Sequence, residues 1–241
     1  MKKRIIRIVS AALAALMLLA AAGCSDSTPK PGEYVFDYDM DSFIADYNDY
    51  LRVIVSNGKD EETAQALYDT IKLTPERFSS VEDDKLPYDV ADYTDSSGLL
   101  ASMYCFRNAE KDRYNEIAVW TPYTNYSGNI NAYFMFTVLS AAGACCAARV
   151  DKNDHDMIVK ANEMIGDVCS TVKTSGSNSS LVKFGDACFY ASFSNVLDGT
   201  EPRVFFYMVP AGNTKGYVDY DKFASTIDTN IDDDEAVETI G

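Results

Sequence analysis

Ile130 to Ala148 reads INAYFMFTVLSAAGACCAA, 19 residues without a charge. Wherever this run goes, the rest of the chain must follow. Its length is enough to cross a bilayer. Against a span, Asn131, Thr137 and Ser140 are polar, the second half is mostly Ala, Gly and Cys, and no basic cluster flanks it. A span would also put the segments before and after it on opposite sides of a membrane. The composition points to a central buried helix whose small residues let it approach a sheet closely, with a membrane span as the alternative.

The flanking segments resemble one another. Gly98-Leu-Leu-Ala-Ser-Met-Tyr-Cys-Phe-Arg-Asn108 is followed by a charged loop and Glu116-Ile-Ala-Val-Trp-Thr-Pro122. Gly185-Asp-Ala-Cys-Phe-Tyr-Ala-Ser-Phe-Ser-Asn195 is followed by Asp198-Gly199 and Arg203-Val-Phe-Phe-Tyr-Met-Val-Pro210. Aromatic and β-branched runs bounded by turn residues predict a β-hairpin in each. The two glycines stand 87 residues apart. Extra edge strands are expected at Lys85–Tyr93 and Gly216–Tyr220.

Helical spacing of Phe43, Ile44, Tyr47, Leu51 and Ile54 predicts a helix over Asp41–Ser56, with Asp41 as its N-cap. Asp60–Ile71 and Asp154–Cys169 read as further helices. The expected fold class is α+β, an antiparallel sheet packed by helices. Residues 37–225 form the domain, and 37–125 and 126–225 are candidate tandem helix–helix–hairpin repeats.

The N-terminus carries a different message. Met1-Lys-Lys-Arg-Ile-Ile-Arg7 precedes an Ala/Leu-rich run to Ala22 and then Gly23-Cys24. A charged start, an apolar core of about 15 residues and small residues at a cut site make an export signal. The small residues before Cys24 resemble the lipobox of bacterial lipoproteins, although Ala21 stands where Leu is commoner. The resemblance implies that Cys24 is lipidated and that residues 1–23 are removed. A plain secretory signal with an incidental cysteine is the alternative. Residues 24–36, rich in Ser and Pro, read as a solvated tether. Two acyl chains hold a protein at a bilayer where one is marginal.

Lys2, Lys3, Arg4 and Arg7 leave with the signal, so 17 of 21 basic residues remain against 37 acidic ones. That balance argues against nucleic acid and against docking on anionic headgroups. Residues 226–241 read as a solvated acidic tail. Cys105, Cys145, Cys146, Cys169 and Cys188 are odd in number and lack the spacing of a disulfide scaffold. Cys145 and Cys146 read as small core residues, with a bridge from one of them to Cys169 as an alternative.

Chemistry leaves few traces. His155, the one histidine, reads as part of a solvated loop, and no nucleophile elbow accompanies it. Phosphate-cradling glycine motifs are absent, and no paired zinc-ligand spacing exists. Asp37, Asp39 and Asp41 alternate as in a calcium loop, but Ser42 replaces the required Gly. No catalytic residue, metal ligand or cofactor is assigned. The binding candidate is the aromatic loop Trp120-Thr-Pro-Tyr123-Thr-Asn-Tyr126-Ser-Gly128, with Trp120, Tyr123 and Tyr126 offering rigid contact area with polar edges.

With its lipobox, tether and Phe43-x-x-x-Tyr47-Asn48 helix, the mature chain resembles extracytoplasmic lipoproteins of Gram-positive type. Its tandem arrangement is similar in architecture to the secreted β-lactamase inhibitor protein, which transfers no function. The expected role is a membrane-anchored, non-enzymatic module that binds a protein or glycan. The alternatives are an extracytoplasmic hydrolase using carboxylates and a structural envelope protein without ligand. Cys24→Ala should move the protein from the membrane fraction to the soluble fraction. Retention in the membrane fraction would contradict the anchor.

Overall fold

The computed structural model describes residues 34–226 apart from 58, 84–85, 96–97, 109, 123–128, 148–154, 176–177 and 195–202. Helix α1 (Met40–Ser56) buries Phe43, Ile44, Tyr47, Tyr50, Leu51 and Val55. Its N-cap is Asp39 rather than Asp41. The Asp39 carboxylate accepts from the Ser42 N–H at 2.9 Å, and the Ser42 hydroxyl accepts from the Asp39 N–H at 3.1 Å. This reciprocal box satisfies two backbone donors at once. Asp41 is left in the first turn, where its charge complements the helix dipole. Helix α2 (Glu61–Ile71) is capped by Asp60, which accepts from the Thr63 N–H.

Four strands follow: β1 (Phe78–Val81), β2 (Tyr88–Asp95), β3 (Gly98–Asn108) and β4 (Arg113–Pro122). Then come α3 (Asn129–Cys146) and α4 (His155–Ser175). The chain continues through β5 (Val182–Phe184), β6 (Ala187–Ser194), β7 (Arg203–Pro210), β8 (Val218–Asp219) and α5 (Tyr220–Ala224). All eight strands join one sheet in the order β1-β2-β3-β4-β7-β6-β5-β8. Every pairing is antiparallel except β5 with β8. The α+β expectation and both hairpins therefore hold. The segment near residue 88 is an inner strand, covered by β1, rather than an edge.

The uncharged run is a core helix. Val138, Ala141, Ala142, Ala144, Cys145 and Cys146 of α3 are fully buried. No described helix is long and apolar enough to cross a membrane. Gly143 lies against Ile165 of α4, where a Cβ would sit 2.4 Å from its Cδ1. The five cysteines are buried thiols with no disulfide among them, so the bridge to Cys169 is not made. Phe36, assigned to the tether by sequence, is buried, and its N–H donates to the Tyr114 carbonyl at 2.8 Å. The body therefore begins before residue 37.

The tandem repeat finds no support. Helices α1 and α3 begin 89 residues apart and α2 and α4 begin 94 apart, against 87 for the glycines. Their lengths differ too: 17 and 11 residues, then 18 and 21.

Gly185 joins β5 to β6 at φ +60°, and a Cβ there would lie 2.1 Å from the Ala147 carbonyl oxygen. Gly216 has φ +78° with open space around it. Gly185→Ala should therefore destabilise by about 2–4 kcal/mol, strain plus overpacking. Gly216→Ala should cost only the strain, on the order of 1 kcal/mol. Urea unfolding of the two variants measures the difference.

Candidate functional site

The sheet has two apolar faces, and the described helices use one. Every buried hydrophobic residue of the described helices belongs to a single core with Ala91, Tyr93, Met103, Cys105, Ile117, Val119, Phe189, Phe206 and Met208. The opposite face carries its own cluster of Tyr88, Val90, Tyr104, Phe106, Ala118, Trp120, Phe205 and Tyr207. Leu86, Leu99, Val81 and Tyr190 pack at its margin. Period-two alternation places these residues together.

Strand register sets them in rows. Trp120 lies between Ser102 and Phe205, and Ala118 between Tyr104 and Tyr207. Phe205 and Tyr207 stand nearly parallel, ring centroids 6.0 Å apart, and Tyr190 stacks on Tyr207 at 6.0 Å. On the other side Tyr104 and Phe106 stack at 6.1 Å, with Tyr88 against both. Two ridges of rings thus flank β4, and the small Ala118 side chain lies between them.

Two polar groups on β4 bracket this dip. The Trp120 indole Nε1 is buried and has no hydrogen-bond partner, while the Arg203 guanidinium sits 4.5 Å from the indole ring. Glu116 lies two residues before Ala118. A bulge between Phe106 and Arg107 shifts the register, so Tyr114 enters the helix-side core while Glu116 joins the other face. Glu116 as a whole is only partly buried, yet its Oε1 is shut off from solvent and unpartnered. Burial pushes its carboxyl up to about 8. Four residues of strand separate the two groups by about 13 Å. Leaving a buried polar atom unpaired costs about 1–3 kcal/mol, and Ser192 Oγ, opposite Phe205, is a third such atom on this face.

Trp120 is the sequence candidate that falls in this site. Tyr123, Tyr126 and Cys24 lie outside the described residues. The sequence reading missed Tyr88, Tyr104, Phe106, Tyr190, Phe205, Tyr207 and Glu116. A signal for them existed. Val204 to Pro210 is apolar throughout and buried throughout, the pattern of a strand covered on both faces.

Other sequence candidates come to less. His155 opens α4 rather than lying in a preceding loop. Among the described residues no cluster of His, Cys, Asp or Glu could hold a metal. A cleft of about 360 Å³ between α1 and α2 is lined by Arg52, Lys59, Glu61 and Tyr68. There Arg52 already stacks on Tyr68 at 4.3 Å.

The chain matches no protein-family model, no curated protein and no solved structure.

A carboxyl whose folded value is raised binds more protons folded than unfolded. Its stabilising effect is complete below the ordinary value of 4.5 and is lost as pH climbs toward 8. Glu116→Gln should remove that loss. The variant's melting temperature should exceed the parent's at pH 8.5, with the gap closing toward pH 4.5, as thermal unfolding across this range would show.

Proposed function

We propose that this protein is an extracytoplasmic lipoprotein, held to the membrane through Cys24, that acts as a non-enzymatic binding module through the aromatic face of its sheet. The observation that carries this reading is the pair of buried, unpartnered polar atoms, Trp120 Nε1 and Glu116 Oε1, set in a field of aromatic rings. Apolar contact area supplies affinity, and the two polar atoms supply orientation.

The tether fits this use. Tyr34 is clamped to Asn213, its N–H donating at 2.9 Å and its carbonyl accepting at 2.8 Å. Asn213 follows the C-terminal end of β7, which is the Glu116 end of the face. Ten residues separate Tyr34 from Cys24, a reach of about 33 Å when extended. The acidic balance of the mature chain keeps the body off anionic headgroups. The expected partner is a protein or a glycan, and nucleic acid is not.

The test is a thermal-shift screen of residues 25–241 against cell-wall glycan fragments and peptides. A ligand at 100 times its Kd stabilises by about 2.7 kcal/mol, a shift of a few degrees. Tyr207→Ala should weaken binding of any such ligand by about 2 kcal/mol, roughly thirtyfold. A ligand whose affinity is unchanged by Tyr207→Ala would place the site elsewhere.

A further inference from the structure

The cleft between α1 and α2 encloses about 360 Å³, within the size range of small-ligand sites. Its lining residues all lie on the two helices and the turn that joins them. Val55 and Ala64 line it with buried apolar side chains, and the Tyr68 ring adds aromatic surface.

Arg52 gives this cleft its chemistry. Its guanidinium carbon lies 4.3 Å from the centroid of the Tyr68 ring. A guanidinium in a cation–π contact keeps its N–H donors available for a second partner. Among the described residues no carboxylate forms an ion pair with Arg52. Asp69 lowers its own carboxyl value partly through Arg52, but it is taken by Gln65 Nε2 at 2.9 Å and Lys72 Nζ at 2.7 Å. Elsewhere Arg107 pairs with Glu82, Arg113 with Asp37 and Asp39, and Lys160 with Asp221. In a chain with 37 acidic residues against 21 basic ones, an arginine held on a ring without an acid is the exception.

Charge selects the class of ligand. Arg52 and Lys59 face one lining acid, Glu61, which leaves a single positive charge in excess. That balance suits a monoanion. A phosphate dianion would meet the Glu61 carboxylate and the acidic field of the whole chain with twice the repulsion. The guanidinium fork matches the two oxygens of a carboxylate.

We propose that the α1–α2 cleft binds a small organic monocarboxylate. Arg52 clamps the carboxylate, Lys59 supplies the second cation, and Val55, Ala64 and Tyr68 contact a short apolar body. Both helices lie on the opposite side of the sheet from the aromatic face, so this inference and the reading of that face stand or fall separately.

The amide shifts of ¹⁵N-labelled residues 25–241 would be followed during titration with N-acetyl-leucine, its neutral amide and inorganic phosphate. The expected result is saturable binding of N-acetyl-leucine, with the amide and phosphate at least about tenfold weaker, the worth of one charge-assisted hydrogen bond. Arg52 is exposed on a helix, where Gln is well accommodated, and Arg52→Gln should weaken binding of N-acetyl-leucine about tenfold. Tyr68→Leu, which removes the ring that holds the guanidinium, should weaken it too. Tyr207→Ala should leave it unchanged. Absence of saturable binding, equal binding of the amide or of phosphate, or indifference to both Arg52→Gln and Tyr68→Leu would overturn the inference. Loss of binding in Tyr207→Ala would overturn it as well, by moving the carboxylate to the aromatic face.

Discussion

The antiparallel ladder between β4 and β7 holds the whole arrangement together. Ile117 to Pro122 pairs with Met208 to Arg203, joining segments more than 80 residues apart into one eight-stranded sheet. That pairing sets Val119 opposite Phe206 beneath the helices and Trp120 opposite Phe205 on the other face. Contacts so distant in sequence are closed late and slowly. The local hairpins β3–β4 and β6–β7 offer preformed edges for them. Once paired, both strands need cover on two sides, and α3 supplies it on one.

The two faces treat buried carboxylates differently. On the helix side Asp89 accepts from the Ser80 hydroxyl at 2.6 Å and the Tyr114 hydroxyl at 3.0 Å, with Arg107 Nε at 3.4 Å. These partners tie β1, β3 and β4 to β2 and hold the residue in place. Glu116, on the other side of β4, has no such partner at Oε1. A hydrogen-bonded network rigidifies a fold; an unpartnered buried oxygen is a cost the fold carries. Unpartnered polar atoms occur on the helix side as well, at Ser140 Oγ and Asn162 Oδ1, so the contrast is confined to the two carboxylates.

Much of the fold was legible in the sequence because local signals and tertiary packing agreed. The spacing of Phe43, Tyr47 and Leu51 marks α1, and the small residues of 130–148 mark a buried helix. The cap was misplaced by two residues because Asp37, Asp39 and Asp41 are equivalent to a spacing rule. Only the Ser42 hydroxyl three positions on selects Asp39. The candidate site was legible at one residue, Trp120. The rest of the face depends on register between distant strands, and on a bulge that turns Tyr114 and Glu116 to opposite sides. Neither is written in any local window. The hint available was the apolar character of β7 on both faces, where a half-exposed strand would alternate.

The most direct test is acrylamide quenching of Trp120 in residues 25–241, alone and with the glycan fragments and peptides of the thermal-shift screen. The account predicts that a bound fragment changes the quenching of the indole and that Tyr207→Ala abolishes the change. Quenching unchanged by every fragment that binds would contradict the account. The aromatic cluster would then be a second core rather than a binding surface.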